Sequence, residues 1–459
     1  MTNSEFSRRE FLGLIGGSAA VAAGMGCGSR SATTKPKAET TTSAAPAGER
    51  TLRIAQWSHF IPAYDQWFDG EYTKRWGERN GIAVTVDHFT LAELPARADT
   101  EVASQQGHDI FGFAYPAPTF EDHVMDHREI VEEVEAKVGP MSPVIRRSIF
   151  NPRTKKYNGF SDTWAPGFAN YRADLWDQVE PGLSPDTWEH VLRAGPKLKS
   201  LGHPLGLGMS EENDSNLFLM DLMRAFGASI HDEDGNLTVK SPATIEAVKM
   251  GAAIYRAGMT DEIFAWDPAS NNRYLASGKG SLTINAVSAL RAIEGQDPDL
   301  AGRIRIARCP AGPAGPAGRV GLYHLINVYV VWQFSKNQEA AKRFLADLAI
   351  ASRETFIRSG FYNIPSFPTT VPDLAGLVGA DPAKPAGKYS LLSSAPEWSG
   401  NIGAPGHSNA AVEEVFYQFL IPRMFAATAR GEMSAEDAVK AAEARIKPIY
   451  DKWRERGKI

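Results

Sequence analysis

The chain has 459 residues and a mass of 50.0 kDa, too long for one ordinary core at roughly 100–200 residues per domain. Hydrophobic residues make up 43% and charged residues 22%, close to globular averages, which excludes disorder of the whole chain. The 49 Lys and Arg against 54 Asp and Glu leave a net charge of −5, so a dedicated nucleic-acid or anionic-membrane binder, which carries a basic excess, is excluded. Two cysteines, Cys27 and Cys309, cannot build a disulfide framework or a cysteine-rich zinc site.

The chain opens as an address. Arg8 and Arg9 precede a Gly- and Ala-rich apolar stretch that runs to Met25, the pattern of a twin-arginine export signal. That stretch is about 15 residues, short of the ~20 a membrane-spanning helix needs. Cys27 follows Gly24, Met25 and Gly26, which resembles a bacterial lipobox whose thiol is lipidated. Gly24 stands where that motif usually has Leu, so an incidental cysteine with cleavage elsewhere stays open. The next stretch is Ser, Thr, Ala, Pro and Gly with scattered charges and nothing to bury. The sequence thus predicts a signal over 1–26 and a flexible tether over 27–50. The folded body would then be held by a lipid anchor at the outer face of the cytoplasmic membrane or in the periplasm. Cys309 would be a buried thiol in that body.

From Thr51 the pattern becomes that of a folded domain. Thr51–Trp57 alternates apolar and polar residues like a strand, broken by Ser58, His59, Phe60, Ile61 and Pro62. Tyr64, Trp67, Phe68, Tyr72 and Trp76 then recur at helical spacing. Ile82–Val86 reads as a second strand, Leu91–Gln106 as a second helix and His108–Phe113 as a third, buried strand. Such alternation predicts right-handed βαβ units around a mainly parallel sheet, with ligands beyond the C-terminal strand ends. Ser184 with Pro185 reads as a helix start ahead of Trp188, Val191, Leu192 and Leu198. Ser241 with Pro242 repeats that device, and Ser434 with Asp437 opens a last amphipathic helix. Pro310–Arg319 reads as a stiff surface loop, Val328–Trp332 as a strand and Gln338–Ala349 as a helix.

Five stretches, in this order, resemble the extracellular solute-binding proteins of ABC importers, in the family that includes maltose-binding protein. Ile54–Trp57 with the aromatic helix is similar to that family's first strand and helix, and His108–Phe111 to its Asp-led third strand. Tyr157, Asn158, Gly159 and Phe160 through Trp164, then Ala169–Trp176 and Ser184–Glu189, resemble its crossover strand, a Tyr-Asn-x-Asp-Leu turn and a Thr-Trp-x-Glu helix start. Tyr274–Gly280 with Ile284 and Asn285 resembles its glycine-containing loop before a strand, and Ser335–Leu345 its Ser-x-Asn-x-Glu-x-Ala helix start. The resemblance implies two Rossmann-like α/β lobes joined by hinge crossovers, the type II periplasmic-binding-protein fold. Lobe one would take 51–162 plus 325–370 and lobe two 163–324 plus 371–459, with hinges near Phe160–Asp162 and Leu322–Ile326. It also implies hinge closure on a solute, and a permease and ATPase as separate chains.

The resemblance implies a sugar, which wants aromatic faces for its C–H patches and planar polar groups for its hydroxyls. Trp57 and His59 follow strand one, Tyr115 follows strand three, and Trp164 sits just past the first hinge. Tyr323, His324 and Asn327 lie at the second crossover, Asn285 ends a strand, and Trp398 stands in a polar Gly/Pro/Ser loop. The maltose site itself is not reproduced: Pro116 and Ala117 replace charged contacts, and Ala286 and Val287 replace an aromatic. No cofactor is implied, because CxxC, HExxH, GxxxxGK[ST] and GxSxG are all missing. His123 and His127 stand at an i, i+4 spacing that could hold a metal on a helix, but the run continues as a solvated acidic face, so no metal is assigned. Two readings remain beside sugar capture: a glycoside-processing enzyme using paired carboxylates, and a binding protein for a polyamine, phosphate ester or metal.

Overall fold

The computed structural model describes residues 50–315 and 321–459. The export signal, nearly all of the tether, Cys27, and the end of the Pro310–Arg319 loop lie outside the described residues. The strands that frame the molecule are β1 (Thr51–Trp57), β2 (Ala83–Phe89), β3 (Ile110–Phe113), β4 (Thr163–Pro166), β5 (Phe168–Arg172) and β6 (Leu282–Asn285). They continue as β7 (Ile304–Ala307), β8 (Gly321–Ile326), β9 (Val328–Val331), β10 (Ile364–Pro365) and β11 (Ser399–Gly400).

One sheet has the order β9-β3-β1-β2. Its first three strands are parallel, as the βαβ pattern predicts, while β9 returns antiparallel to β3. A second sheet, β6-β5-β7, is antiparallel about its central strand. Between them in sequence, β4 and β8 pair antiparallel, with β10 beside β4 and β11 beside β8. The chain therefore crosses from one sheet to the other at Thr163–Pro166 and back at Gly321–Ile326. This is an α/β fold of two lobes joined by crossover strands.

Local chemistry explains most element starts. Ser241 Oγ accepts from the Thr244 N–H, and Ser434 Oγ from the Asp437 N–H, so both act as predicted N-caps. The Ser184 reading is corrected: the helix is Trp188–Ser200, and Thr187 Oγ1 caps it by accepting from His190 N. Thr187 wins because it is extended immediately before the helix, whereas Ser184 turns back onto Asp186. The aromatic helix comes as Pro62–Trp67 and Thr73–Asn80 with one wider π turn, Phe68–Tyr72, between them. The five aromatics of its stripe are all buried. His123 and His127 share no helix, because the helix begins at Arg128. His127 is buried instead, with Nδ1 at 3.0 Å from Tyr157 O and Nε2 accepting from Val331 N. Both ring nitrogens are thus occupied, and the described residues hold no cluster of metal-ligating side chains.

The abundant tryptophans are mostly packing residues with a satisfied N–H. Trp67, Trp76, Trp176, Trp332 and Trp453 donate to Glu354, Asp347, Ser281 O, Glu101 and Glu414. That is the ordinary price of burying an indole. Trp164 and Trp188 are the buried exceptions, with no partner for Nε1. Cys309 is buried. Among the described residues no helix is long and apolar enough to cross a membrane.

Candidate functional site

The sheet order sets β1 beside β3, so the turns after their C-terminal ends lie next to each other and face the crossover strands. After β1, Trp57 stacks on His59 at 4.8 Å between ring centroids, and its Nε1 donates to Asn327 Oδ1 at 3.0 Å. Asn327 in turn donates to Thr163 Oγ1, tying the β1 end to both crossovers. His59 Nδ1 accepts from the Ile61 N–H, which leaves Nε2 to donate to Asn363 Oδ1 at 3.2 Å. Burial pushes its pKa down to about 4, so the ring is neutral.

Tyr362 completes this group. Its ring stands edge-on to His59 at 5.0 Å and tilted to Trp57 at 6.5 Å. Its hydroxyl, the Nδ2 of Asn363 and the Nε1 of Trp164 are buried and have no hydrogen-bond partner. Residues Ile364 and Trp164 are register partners across β10 and β4, so these orphan groups belong to neighbouring strand ends. Leaving such groups buried and unpaired costs about 1–3 kcal/mol each, a cost that a polar solute would offset.

After β3, Tyr115 donates from its hydroxyl to His324 O at 3.1 Å and packs on Phe416 at 4.9 Å. His324 Nδ1 lies 3.6 Å from Asp214 Oδ1. Burial pushes His324 down to about 4 and Asp214 up to about 7, so this approach is not a formed ion pair near neutral pH. Asp214 stands in the first turn of helix Asn213–Ala225 and accepts from Asn271. Glu212 caps that helix through the N–H groups of Asp214 and Ser215, and burial followed by the Asp214 charge pushes its carboxyl up. Glu212, Asp214, Asn271 and Trp266 line a small cavity beside β6.

Of the residues singled out in the sequence, the structure brings Trp57, His59, Tyr115, His324 and Asn327 to these adjoining strand ends, with Trp164 beside Ile364. It separates the other three. Asn285 is locked by its own neighbourhood, with Oδ1 accepting from Ala286 N and Nδ2 donating to Asn272. Tyr323 points to the opposite side of β8 from His324, toward Ser148, Ile402 and Ser408. Trp398 packs edge-on against Phe168 at 5.5 Å and donates to Ser394 Oγ. Tyr362, Asn363 and Asp214 were not singled out. Tyr362 and Asn363 sit in a short turn between a helix and Ile364–Pro365, where Phe361 precedes them, and the sequence holds no signal that sets Tyr362 apart from it.

The family model for bacterial extracellular solute-binding proteins matches residues 61–349. A binding protein of Brucella abortus (strain 2308) is 25% identical over 178 residues, which is 38% of this chain and 42% of that protein. The match thus spans under half the length of that curated relative. Among solved structures, a sugar transporter protein from Arthrobacter chlorophenolicus A6 with bound laminaribiose has a TM-score of 0.72 at 17% identity, covering 87% of this chain and 99% of that one. An ABC transporter solute-binding protein from Thermotoga lettingae TMO with α-D-tagatose has a TM-score of 0.70 at 18% identity, covering 88% and 100%. Maltose-bound MalE3 of T. maritima has a TM-score of 0.70 at 15% identity, covering 86% and 99%.

Proposed function

The chain belongs to the family of bacterial extracellular solute-binding proteins, and from that premise we propose that it captures a mono- or oligosaccharide between its lobes for an ABC importer. Permease and ATPase are separate chains in this reading, and the protein itself catalyses no reaction. The observation that carries the carbohydrate class is the pair of unpartnered polar groups, Tyr362 OH and Asn363 Nδ2, set beside the rings of Trp57 and His59. Sugar hydroxyls both donate and accept, so they suit a phenol and an amide together. Sugar-, tagatose- and maltose-bound structures of the same fold support the reading.

The lobes we assign are 51–162 plus 325–370 and 163–324 plus 371–459. The return of β9 to the sheet of β1–β3 supports that division. The leader implies twin-arginine export and lipidation of Cys27. Intact mass of the mature protein tests this: a diacylated Cys27 at the N-terminus supports it, and an unmodified Cys27 overturns it.

A thermal-shift screen of mono- and oligosaccharides tests the solute class, because a ligand of the folded state raises the Tm by linkage. A sugar that raises the Tm supports the proposal. A polyamine or phosphate ester that does so while every sugar fails overturns it. An amine-bearing solute is the second reading, favoured by Asp214, a buried carboxylate with an amide as its hydrogen-bond partner.

A further inference from the structure

The two ends of the cleft floor are built differently. At the β1 end, polar groups are left without partners. At the β3 end, protein meets protein. The turn after β3 forms a single 3-10 turn, Pro118–Phe120, fixed to lobe one by Phe120 stacking on Phe113 at 5.5 Å. Opposite it lies helix Ala410–Tyr417, held to lobe two through Asn216, whose Nδ2 donates to Phe416 O. Glu413 of that helix accepts from the Thr119 N–H at 2.7 Å and from Thr119 Oγ1 at 2.9 Å, one bond to each carboxylate oxygen. Glu413 is 3% exposed. The Tyr115–Phe416 ring contact lies alongside.

We infer that Glu413 and Thr119 form a clasp that closes the β3 end of the cleft, making Glu413 a specificity-determining residue that admits a compact solute and turns away longer chains. The inference rests on the carbohydrate reading for the solute's class, but the clasp itself does not. Both oxygens of the Glu413 carboxyl bond Thr119 between the two lobes, so a chain running through this end must displace two hydrogen bonds from a buried acid. At the β1 end a solute meets Tyr362 OH and Asn363 Nδ2, which have no partner to give up. Selection by what the solute must break is specificity built from an unfavourable alternative.

Two measurements on the full chain decide it. Hydrogen exchange read by mass spectrometry should show the Thr119 amide protected in the wild type and about tenfold or more faster in Glu413→Ala. Glu413→Gln, which keeps a carbonyl acceptor for the Thr119 N–H, should lie between them, and peptides of β1 should exchange unchanged in all three. Fast exchange at Thr119 in the wild type, or equal exchange in the wild type and Glu413→Ala, overturns the clasp. The second arm is a ladder of laminari-oligosaccharides from the disaccharide to the pentasaccharide. Wild-type affinity should fall about tenfold or more with length, and Glu413→Ala should flatten that fall to about threefold. A length preference unchanged by Glu413→Ala overturns the specificity role. If the wild type takes no member of the ladder while the mono- and oligosaccharide screen also fails, the carbohydrate reading falls, and the exchange arm still decides the clasp.

Discussion

Two buried polar clusters in the same lobe carry opposite signatures. At the N-terminal side of β3, His108 lies between Glu101 at 2.5 Å and Asp87 at 2.8 Å. Glu101 also accepts from Arg97 and from the Trp332 indole. At the C-terminal side of the same sheet, Tyr362 OH and Asn363 Nδ2 are as deeply buried and have no partner. Burial alone therefore does not separate the two clusters; completeness of pairing does. The first cluster commits its polar atoms to one another, while the second leaves Tyr362 OH and Asn363 Nδ2 unpaired.

Mutation should separate the two. Glu101→Ala leaves His108 and Arg97 with less compensation and should lower stability by about 3–5 kcal/mol, as breaking a buried ion pair does, with solute affinity unchanged. Chemical denaturation beside a binding titration checks this, and a loss of affinity with intact stability would break the contrast. Trp57→Ala should weaken solute binding by about 2–4 kcal/mol through loss of the stacked aromatic face, measured by titration calorimetry. Tyr362→Phe removes only a hydroxyl without a partner. It should leave the Tm unchanged or slightly higher, while costing about 0.5–1.5 kcal/mol of binding.

Glu101 and the buried acids Asp162, Asp214 and Glu413 should titrate in opposite directions. Burial pushes Glu101 up, but the His108 hydrogen bond and charge outweigh it and hold the carboxyl below its ordinary range. Its stabilisation is present at neutral pH and lost as pH falls through that lowered value. Burial pushes Asp162 and Asp214 up to about 7 and Glu413 up to about 8. For Glu413 the Thr119 bonds oppose the rise, and the charges of Glu414 and Asp99 add to it. These acids bind more protons folded than unfolded, so what they contribute is fully present below their ordinary values near 4 and lost as pH rises through 7 to 8. Above pH 6.5, where the buried His59 and His324 are neutral in both folded and unfolded chains, the Tm should decline toward the alkaline side, in a window set by those acid values. A Tm that climbs over that window contradicts the assignment. The smallest effect belongs to Trp398→Phe: the ring packs on Phe168, away from the orphan groups, so affinity should stay within about twofold.

Much of the fold was legible because its signals are local. Strand alternation from Thr51, the aromatic helix spacing and the Ser241 and Ser434 caps each act within a few residues. Ser184 misled because a serine before a proline satisfies the same local rule as the true cap, Thr187. The site was less legible for a physical reason: its defining contacts join residues far apart in sequence. Trp57 meets Asn327, and His59 meets Asn363. Nothing around Tyr362 or Asp214 says which groups they will face. Trp398 drew attention as a bulky ring in a polar loop, yet Phe168 supplies it with an apolar partner from another strand.

The most direct test of solute capture is isothermal titration calorimetry of the wild-type protein and Tyr362→Phe with laminaribiose, tagatose and maltose. Solute capture predicts saturable one-to-one binding of at least one sugar, recovery of that sugar intact, and weaker binding by Tyr362→Phe at a Tm unchanged or slightly higher. Absence of binding by all three together with failure of the wider sugar screen, cleavage of the bound sugar, or equal affinity in the two proteins would contradict it.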